Sequence, residues 1–261
     1  MNYTELLGIS ASGKTTLKNK LISNSKKKLY EKKYIIIKYY IDNNNQNFLE
    51  YLRCLLLLFL STKILINMRP KLRKSGLIYK ESNEIIFRNQ SRGFLLRLLD
   101  VFLLDDLYLK ILSLLIIKFK LKKTKLFKIT FKEIRSLKQN NYLKNKIKRW
   151  FIENLLVFDI QRKNNKYSCI IDEGLLQTFF IIFKLSGKKR KFIKEIMNNY
   201  TQHGKLFILK SNSLKILFRS NKRKTKQNGY IYKDFKEVNK EMREFKNYKK
   251  YLLKKVKYTE A

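Results

Sequence analysis

Eight residues near the start of the sequence, GISASGKT (Gly8 to Thr15), have the spacing of a loop that binds phosphate groups. In the pattern Gly-x4-Gly-Lys-Thr, backbone N–H groups surround the phosphates of a nucleotide, the lysine reaches the terminal phosphates and the final hydroxyl binds Mg²⁺. Lys14 and Thr15 stand at these two positions. We expect the other nucleotide contacts to come from the remaining small residues of the loop and the turn after it: Gly8, Ser10, Ser12, Gly13 and Thr16.

Two carboxylates follow a compact apolar run, YSCIIDEG (Tyr167 to Gly174). Such a run is typical of a buried parallel strand, and Asp172 and Glu173 stand where that strand would end. A Mg²⁺ ion held by Thr15 needs an oriented carboxylate on its other side, and we expect Asp172 to supply it. Glu173 has three interpretations: it polarises an attacking water or hydroxyl, it contacts substrate, or it faces solvent.

Arg219 and Arg223 in LFRSNKR are four residues apart, so they share one face if the segment is helical. A basic loop follows them, and arginines that close over a phosphoryl group stabilise its charge and exclude water. We therefore expect a lid over about residues 219–229, with both arginines in catalytic roles. Arg69 and Arg73 in NMRPKLRKSG have the spacing to clamp an anionic acceptor; the alternative is that they are solvated surface charges.

The segments around these residues indicate alternating strands and helices. YTELLGI predicts a strand that enters the loop, and KTTLKNKLI predicts a helix that leaves it. KYIIIKYYI (Lys33 to Ile41) is rich in β-branched and aromatic residues and predicts a second strand. LLQTFFIIF predicts a helix directly after Gly174, and KLFILK (Lys205 to Lys210) predicts a further buried strand. No clear strand pattern follows the lid.

The middle of the sequence, about residues 48–158, predicts helices. The clearest is YLKNKIKRWFIENLLVF, in which apolar residues recur every three or four positions: Leu143, Ile147, Phe151, Leu155 and Phe158. Thr130 and Glu133 have the spacing of a capping box that would open a shorter helix before it. Asp234 and Glu237 repeat that spacing at the start of a surface helix.

Taken in order, these motifs resemble the nucleotide-kinase-like branch of P-loop NTPases, which holds thymidylate, adenylate, shikimate and gluconate kinases. The resemblance implies an α/β fold: a parallel-sheet core flanked by helices, in a single domain over residues 1–261 with a helical acceptor-binding insert at about 48–158. It implies Walker A roles for Lys14 and Thr15, a metal or base role for Asp172, and lid roles for Arg219 and Arg223. Ala11 departs from the pattern, because many of these kinases have a glycine there.

The resemblance predicts a kinase that moves the γ-phosphoryl group of ATP, with Mg²⁺, to a small-molecule acceptor such as a nucleotide, a sugar, or a polysaccharide or lipid precursor. The alternative is a P-loop ATPase stimulated by nucleic acid. Sixty Lys and Arg against twenty Asp and Glu give a formal charge of +40, and with abundant Tyr and Phe this would suit a groove that binds single strands. The same charge is also expected from the residue choice of an A/T-rich genome.

Two cysteines, Cys54 and Cys169, provide neither a disulfide framework nor a metal-binding spacing, which indicates a reducing compartment. The first residues lack the pattern of a secretory signal, so we expect a cytoplasmic protein. The apolar stretch from Phe94 to Ile117 is long enough to cross a membrane but carries five charges. It therefore predicts packed helices and no transmembrane segment, with peripheral membrane contact as the alternative.

Overall fold

The structure is a computed structural model that describes residues 3–25, 30, 32–44, 46–61, 78–81, 84–87, 104–164, 166–224 and 232–261. The chain divides into two compact units: residues 1–32 with 116–261, called the sheet unit, and residues 33–115, called the second unit. The helices and strands in chain order are β1 (Tyr3–Leu7), α1 (Lys14–Ser23), α2 (Lys32–Asn43), α3 (Phe48–Ser61), β2 (Ile78–Glu81), β3 (Glu84–Phe87), α4 (Leu104–Lys118), α5 (Lys125–Ser136), α6 (Asn141–Lys163), β4 (Cys169–Ile171), α7 (Leu175–Leu185), α8 (Lys189–Asn199), β5 (Lys205–Ile208), α9 (Ser213–Lys224), α10 (Phe235–Leu252) and β6 (Thr259–Glu260).

The sheet unit contains a four-stranded, all-parallel sheet in the order β4-β1-β5-β6. Thr4 at the centre of β1 lies opposite Ile170 of β4 on one side and Lys205 of β5 on the other. Because all strands run in one direction, their carboxyl ends meet at one edge of the sheet. The predicted α/β class with a parallel sheet is confirmed.

Helix α7 is the centre of the core beside the sheet. It lies against β1 and contacts α6, α8 and α10, so its apolar sequence is buried on most sides. Aromatic rings join these helices: Phe179 of α7 lies 6.2 Å from Phe151 of α6, and Phe180 lies 5.4 Å from Tyr248 of α10. Such rings bury large apolar areas, which is the main stabilising contribution to a core of this kind.

The predicted strand at Lys33 to Ile41 is wrong, because these residues form most of α2. β-branched and aromatic residues favour strands, but this preference is weak and depends on what surrounds the segment. The helix is buried on most sides, so its sequence has none of the helical periodicity that would identify it. Five of its residues are buried: Ile35, Ile36, Ile37, Tyr39 and Tyr40.

The predicted helical stretch at 48–158 is confirmed for α3, α4, α5 and α6, but an antiparallel pair of strands interrupts it. Ile78 of β2 lies opposite Phe87 of β3. The sequence contains a pattern for this pair of strands, since two short runs with β-branched residues are separated by two residues, Ser82 and Asn83, which is the spacing of a hairpin. Helices α5 and α6, which the sequence places in the insert, belong to the sheet unit.

The predicted capping box at Thr130 is wrong. Thr130 lies inside α5, and its hydroxyl donates to the carbonyl oxygen of Leu126 at 2.7 Å. The cap is Thr124, whose hydroxyl accepts the backbone N–H of Phe127 at 3.2 Å. The helix therefore starts six residues earlier than predicted, and this added segment buries the apolar side chains of Leu126 and Phe127.

The predicted cap of α10 is confirmed, and the helix leads to a strand that the sequence does not indicate. Asp234 accepts the backbone N–H of Glu237 at 2.8 Å, while the Glu237 carboxylate accepts the N–H of Lys233, one residue before the cap. Strand β6 then pairs with β5, with Thr259 opposite Phe207. Two paired residues are too few to produce a hydrophobic pattern. No described helix combines the length and hydropathy that crossing a membrane requires.

Candidate phosphate-binding site

The loop of residues 8–15 lies at the carboxyl edge of the parallel sheet, between the end of β1 and the start of α1. Strand β1 has β4 on one side and β5 on the other, so Asp172 after β4 and the segment after β5 are its neighbours. In open parallel α/β sheets, ligands bind outside this edge. The sheet order thus brings together residues more than 150 positions apart in the sequence.

The backbone of this loop has two residues in the left-handed region: Ala11 with φ of 59° and Gly13 with φ of 104°. The loop is also folded closely on itself, because a Cβ on Gly8 would lie 2.7 Å from Oγ of Ser12. A side chain at Gly8 would therefore have to displace the Ser12 hydroxyl, and glycine is favoured at Gly13 by conformation. Ala11 adopts a conformation that glycine would adopt with less strain.

Two features of this loop fit an anion. Helix α1 begins directly after Gly13 without a side-chain cap, so the first N–H groups of the helix are directed toward the loop with their partial positive charge. Oγ of Ser12 is buried and, within the described residues, makes no hydrogen bond. A buried hydroxyl without a partner costs free energy, and a phosphate oxygen in the loop would satisfy it.

Lys14 lies across the loop. Its Nζ donates to the carbonyl oxygens of Gly8 at 2.6 Å and of Ile9 at 2.9 Å. The ammonium group is therefore held within the loop by backbone acceptors, where it could bond to phosphate oxygens instead.

Thr15 and Asp172 meet at the start of α1. Oγ1 of Thr15 donates to Oδ2 of Asp172 at 3.5 Å, and Nζ of Lys18 lies 3.4 Å from Oδ1 of the same carboxylate. A hydroxyl and a carboxylate are the hard oxygen donors that Mg²⁺ prefers. Within the described residues, no group of three or more His, Cys, Asp or Glu could hold a metal ion by itself, so further ligands would be phosphate or water.

Sequence reasoning missed Lys18, although a signal was present. On a helix, residues three and four positions apart share a face, and Lys18 follows Thr15 by three and Lys14 by four. Its contact with Asp172 depends on β4 being the neighbour of β1.

Glu5 is a buried carboxylate beneath the site, and the sequence does not single it out. It accepts the backbone N–H of Gln177 and the hydroxyl of Tyr3, each at 3.1 Å. Burial raises the pKa of Glu5 from its ordinary value of 4.5 to about 7, although both hydrogen bonds oppose this change. Gln177 in turn accepts the backbone N–H of Gly8 through Oε1 at 3.2 Å. The start of α7 is thereby joined to β1 and to the first residue of the loop.

The structure brings Arg219 to the loop from α9. Its Nη1 donates to the carbonyl oxygen of Ser12 at 3.0 Å. Tyr232 also reaches the loop, since its hydroxyl lies 3.5 Å from the carbonyl oxygen of Ser10, and its backbone N–H donates to Oγ of Ser220 in α9. The predicted lid begins inside α9 at residues 219–224, and residues 225–231 lie outside the described part of the chain.

The other predicted site residues are placed as follows. Arg223 belongs to α9, but its side chain lies outside the described residues, as do Arg69 and Arg73 entirely. Glu173 is exposed, and its carbonyl oxygen accepts a bond from Nζ of Lys32 at 3.0 Å. Thr16 of α1 lines a cleft beside the loop.

This cleft has a volume of about 1090 Å³ and lies on the β5 side of the loop. Its walls come from the loop, α1, the ends of β5 and β6, α9 and α10; β4 and the two carboxylates directly after it, Asp172 and Glu173, do not contribute. A cavity of this volume is at the upper end of the range for small-molecule sites.

Neither cysteine has the chemistry of a nucleophile. Both thiols are buried, and burial raises the pKa of Cys169 to about 12 and of Cys54 to about 11. Because the thiolate is the reactive form, both are inert at neutral pH.

The fold and the site define an α/β protein with a candidate phosphate-binding loop at the carboxyl edge of its parallel sheet. Comparison of the chain with protein-family models, curated proteins and solved structures finds no match.

Proposed function

We propose that this chain is a P-loop phosphotransferase, a kinase that moves the γ-phosphoryl group of ATP to a small-molecule acceptor. The observation that carries the proposal is the 3.5 Å approach of the Thr15 hydroxyl to the Asp172 carboxylate, across two neighbouring parallel strands. A glycine loop alone is a short pattern. A loop hydroxyl beside a strand-end carboxylate is the pair of oxygen donors that phosphoryl transfer requires.

The side chains of the loop have distinct roles in this proposal. The N–H groups at the start of α1 bind the phosphates, and Lys14 exchanges its bonds to the Gly8 and Ile9 carbonyls for bonds to phosphate oxygens. Arg219 already reaches the loop at Ser12 and neutralises negative charge on the transferred group.

Thr15 and Asp172 would hold Mg²⁺, and their donor chemistry fits that ion. When bound, Mg²⁺ supplies positive charge that stabilises the phosphoryl oxygens. Lys18 would then compete with the ion for Asp172, because its Nζ lies 3.4 Å from Oδ1 of the same carboxylate. We propose that the acceptor is a nucleotide, a sugar, or a polysaccharide or lipid precursor.

The test uses purified wild-type protein, Lys14→Ala and, as a matched control, Lys128→Ala. Lys128 is an exposed lysine of α5, away from the loop. With γ-labelled ATP and Mg²⁺, label should appear on one acceptor of a panel of nucleosides, nucleotides and sugars. The rate should fall at least about a hundredfold in Lys14→Ala, because the charge on the phosphates is lost, and stay within about twofold in Lys128→Ala. Transfer that survives in Lys14→Ala would contradict the proposal.

The second candidate is an ATPase stimulated by nucleic acid, which the formal charge of +40 favours. The same assay separates the two functions when single-stranded DNA or RNA is added. Hydrolysis that rises severalfold with nucleic acid while every acceptor stays unlabelled would favour the ATPase. Label on an acceptor that is indifferent to nucleic acid favours the kinase.

A further inference from the structure

The cleft on the β5 side of the loop combines an apolar floor with a basic rim. Its lining residues include seven Lys or Arg and no Asp or Glu. The apolar part comes from side chains such as Ile9, Leu17, Ile216 and Met242. A site of this composition suits a ligand that has both a flat apolar part and negative charge.

Three of the seven cations already have partners. Lys210 and Lys249 both pair with the carboxylate of Glu260, the latter at 2.6 Å, and Arg219 donates to the Ser12 carbonyl. The other four come from three helices, and within the described part of the chain no carboxylate lies within ion-pair distance of them: Lys20 of α1, Lys215 of α9, and Arg243 and Lys246 of α10.

The position of the cleft decides which end of a nucleotide could enter it. Asp172 and the Thr15 hydroxyl mark the β4 side of the loop, where the reacting phosphate would lie. Gly13, Thr16 and Leu17 line the cleft from the opposite side of the loop. A nucleotide whose phosphates occupy the loop would therefore extend its base and sugar into the cleft. An ordinary base and ribose carry no charge, so they leave the four cations without a counter-charge.

We propose that the cleft binds a nucleoside that carries a phosphate on its sugar, in addition to the phosphates held by the loop. This inference rests on the proposed nucleotide site. The base lies on the apolar floor, and the sugar phosphate pairs with the cations of α9 and α10. Two ligands share this chemistry: a mononucleotide with a 3′-phosphate, and the first nucleotide of a short strand, whose phosphodiester occupies the same position.

The experiment measures binding by calorimetry at physiological salt with three probes: ADP, ADP with a 3′-phosphate, and the dinucleotide in which ADP is joined through its 3′-phosphodiester to adenosine. The proteins are wild type, the double variant Arg243→Ala with Lys246→Ala, and the control Lys240→Ala. Lys240 is an exposed lysine of α10 outside the cleft lining. The 3′-phosphate should tighten wild-type binding about tenfold relative to ADP, since ADP has no charged group on its sugar to bond to these cations.

The ratio of the two affinities should fall to about one in the double variant and stay at the wild-type value in Lys240→Ala. A gain for the dinucleotide equal to that for the 3′-phosphate indicates a strand end, and a gain for the 3′-phosphate alone indicates a mononucleotide. Equal binding of ADP and its 3′-phosphate in wild type, or a gain that persists in the double variant, overturns the inference.

The outcomes also separate this inference from the proposed function. If ADP binds but the 3′-phosphate adds nothing, only the inference fails. If the 3′-phosphate tightens binding but no acceptor is labelled in the transfer assay, only the kinase fails. If none of the three probes binds to wild type, both fail.

Discussion

Glu5 is the residue whose environment differs most from what its position in the sequence suggests. In YTELL a glutamate would ordinarily face solvent, but here it is 1% exposed and lies at the start of α7. Its hydrogen bonds do not offset the cost of removing a carboxylate from water, so its pKa rises to about 7. The group that supports the loop through Gln177 therefore titrates near neutral pH.

This pKa predicts how stability changes with pH. The folded value of about 7 lies above the ordinary 4.5, so the folded protein binds more protons between these values. Glu5 therefore contributes stability that is fully present below pH 4.5 and is lost as pH rises through 7, by roughly 3 kcal/mol. In Glu5→Gln, which keeps the shape of the side chain, this part of the pH dependence should disappear.

Urea unfolding of wild type and Glu5→Gln at about pH 5 and about pH 8 measures the effect, since other titrating groups are common to both proteins. The difference in free energy of unfolding between the two proteins should change by a few kcal/mol in favour of the variant at the higher pH. A difference that is the same at both pH values would mean that Glu5 is ionised over the whole range.

At the scale of elements, the junction between β4 and α7 determines how closely β1 can approach. Gly174 stands at this junction, and a Cβ there would lie 2.5 Å from Cδ of Glu5. Glu5 cannot move away easily, because Gln177 and Tyr3 hold both of its oxygens. Because Gly174 has no Cβ, β4, which ends directly before Asp172, can lie beside β1, which leads into the loop.

We expect Gly174→Ala to lower the free energy of unfolding by about 2 kcal/mol, because the added methyl group overpacks this junction. Gly187→Ala is the matched control, since a Cβ at Gly187 has no heavy atom within 4 Å, and its effect should stay within about 0.5 kcal/mol. Urea denaturation of both variants measures the difference. Equal stability of the two variants would show that the close approach has no energetic consequence.

At the scale of the whole molecule, the excess of positive charge is the dominant property. Because sixty basic side chains outnumber twenty acidic ones, the excess positive charges repel one another more in the compact state than in the unfolded chain. Many acidic side chains are already paired with lysines or arginines, as in the contacts of Glu241 and Glu244 with Lys184 and Lys189. The surface cations that have no carboxylate partner therefore repel one another across the solvent.

Salt should consequently stabilise this protein. Raising NaCl from about 0.1 to about 1 M shortens the screening length from about 10 to about 3 Å and weakens this repulsion. We expect the melting temperature to rise by several degrees, measured by circular dichroism or calorimetry. KCl at equal ionic strength should produce the same shift, because screening does not depend on the cation. A melting temperature that stays constant or falls would contradict the role assigned to the net charge.

The sequence by itself determined the local parts of the candidate site. GISASGKT predicts a loop between a strand and a helix, and the structure has β1, the loop and α1 in that order. CIIDEG predicts a strand that ends in carboxylates, and β4 ends directly before Asp172. These features depend on neighbouring residues: glycine at a positive φ, an apolar run of strand length, and a helix that follows at once.

Only the tertiary structure decided what those parts contact. Lys18 meets Asp172, and Gln177 meets Gly8, because β1 lies between β4 and β5, and nothing local in the sequence specifies the order of strands. Burial on most sides made the segment at 33–41 a helix, against the preference of its residues. The same packing placed Glu5 out of water and assembled a basic cleft from three helices. Long-range packing selects among locally acceptable conformations, and that selection leaves no pattern in any short segment.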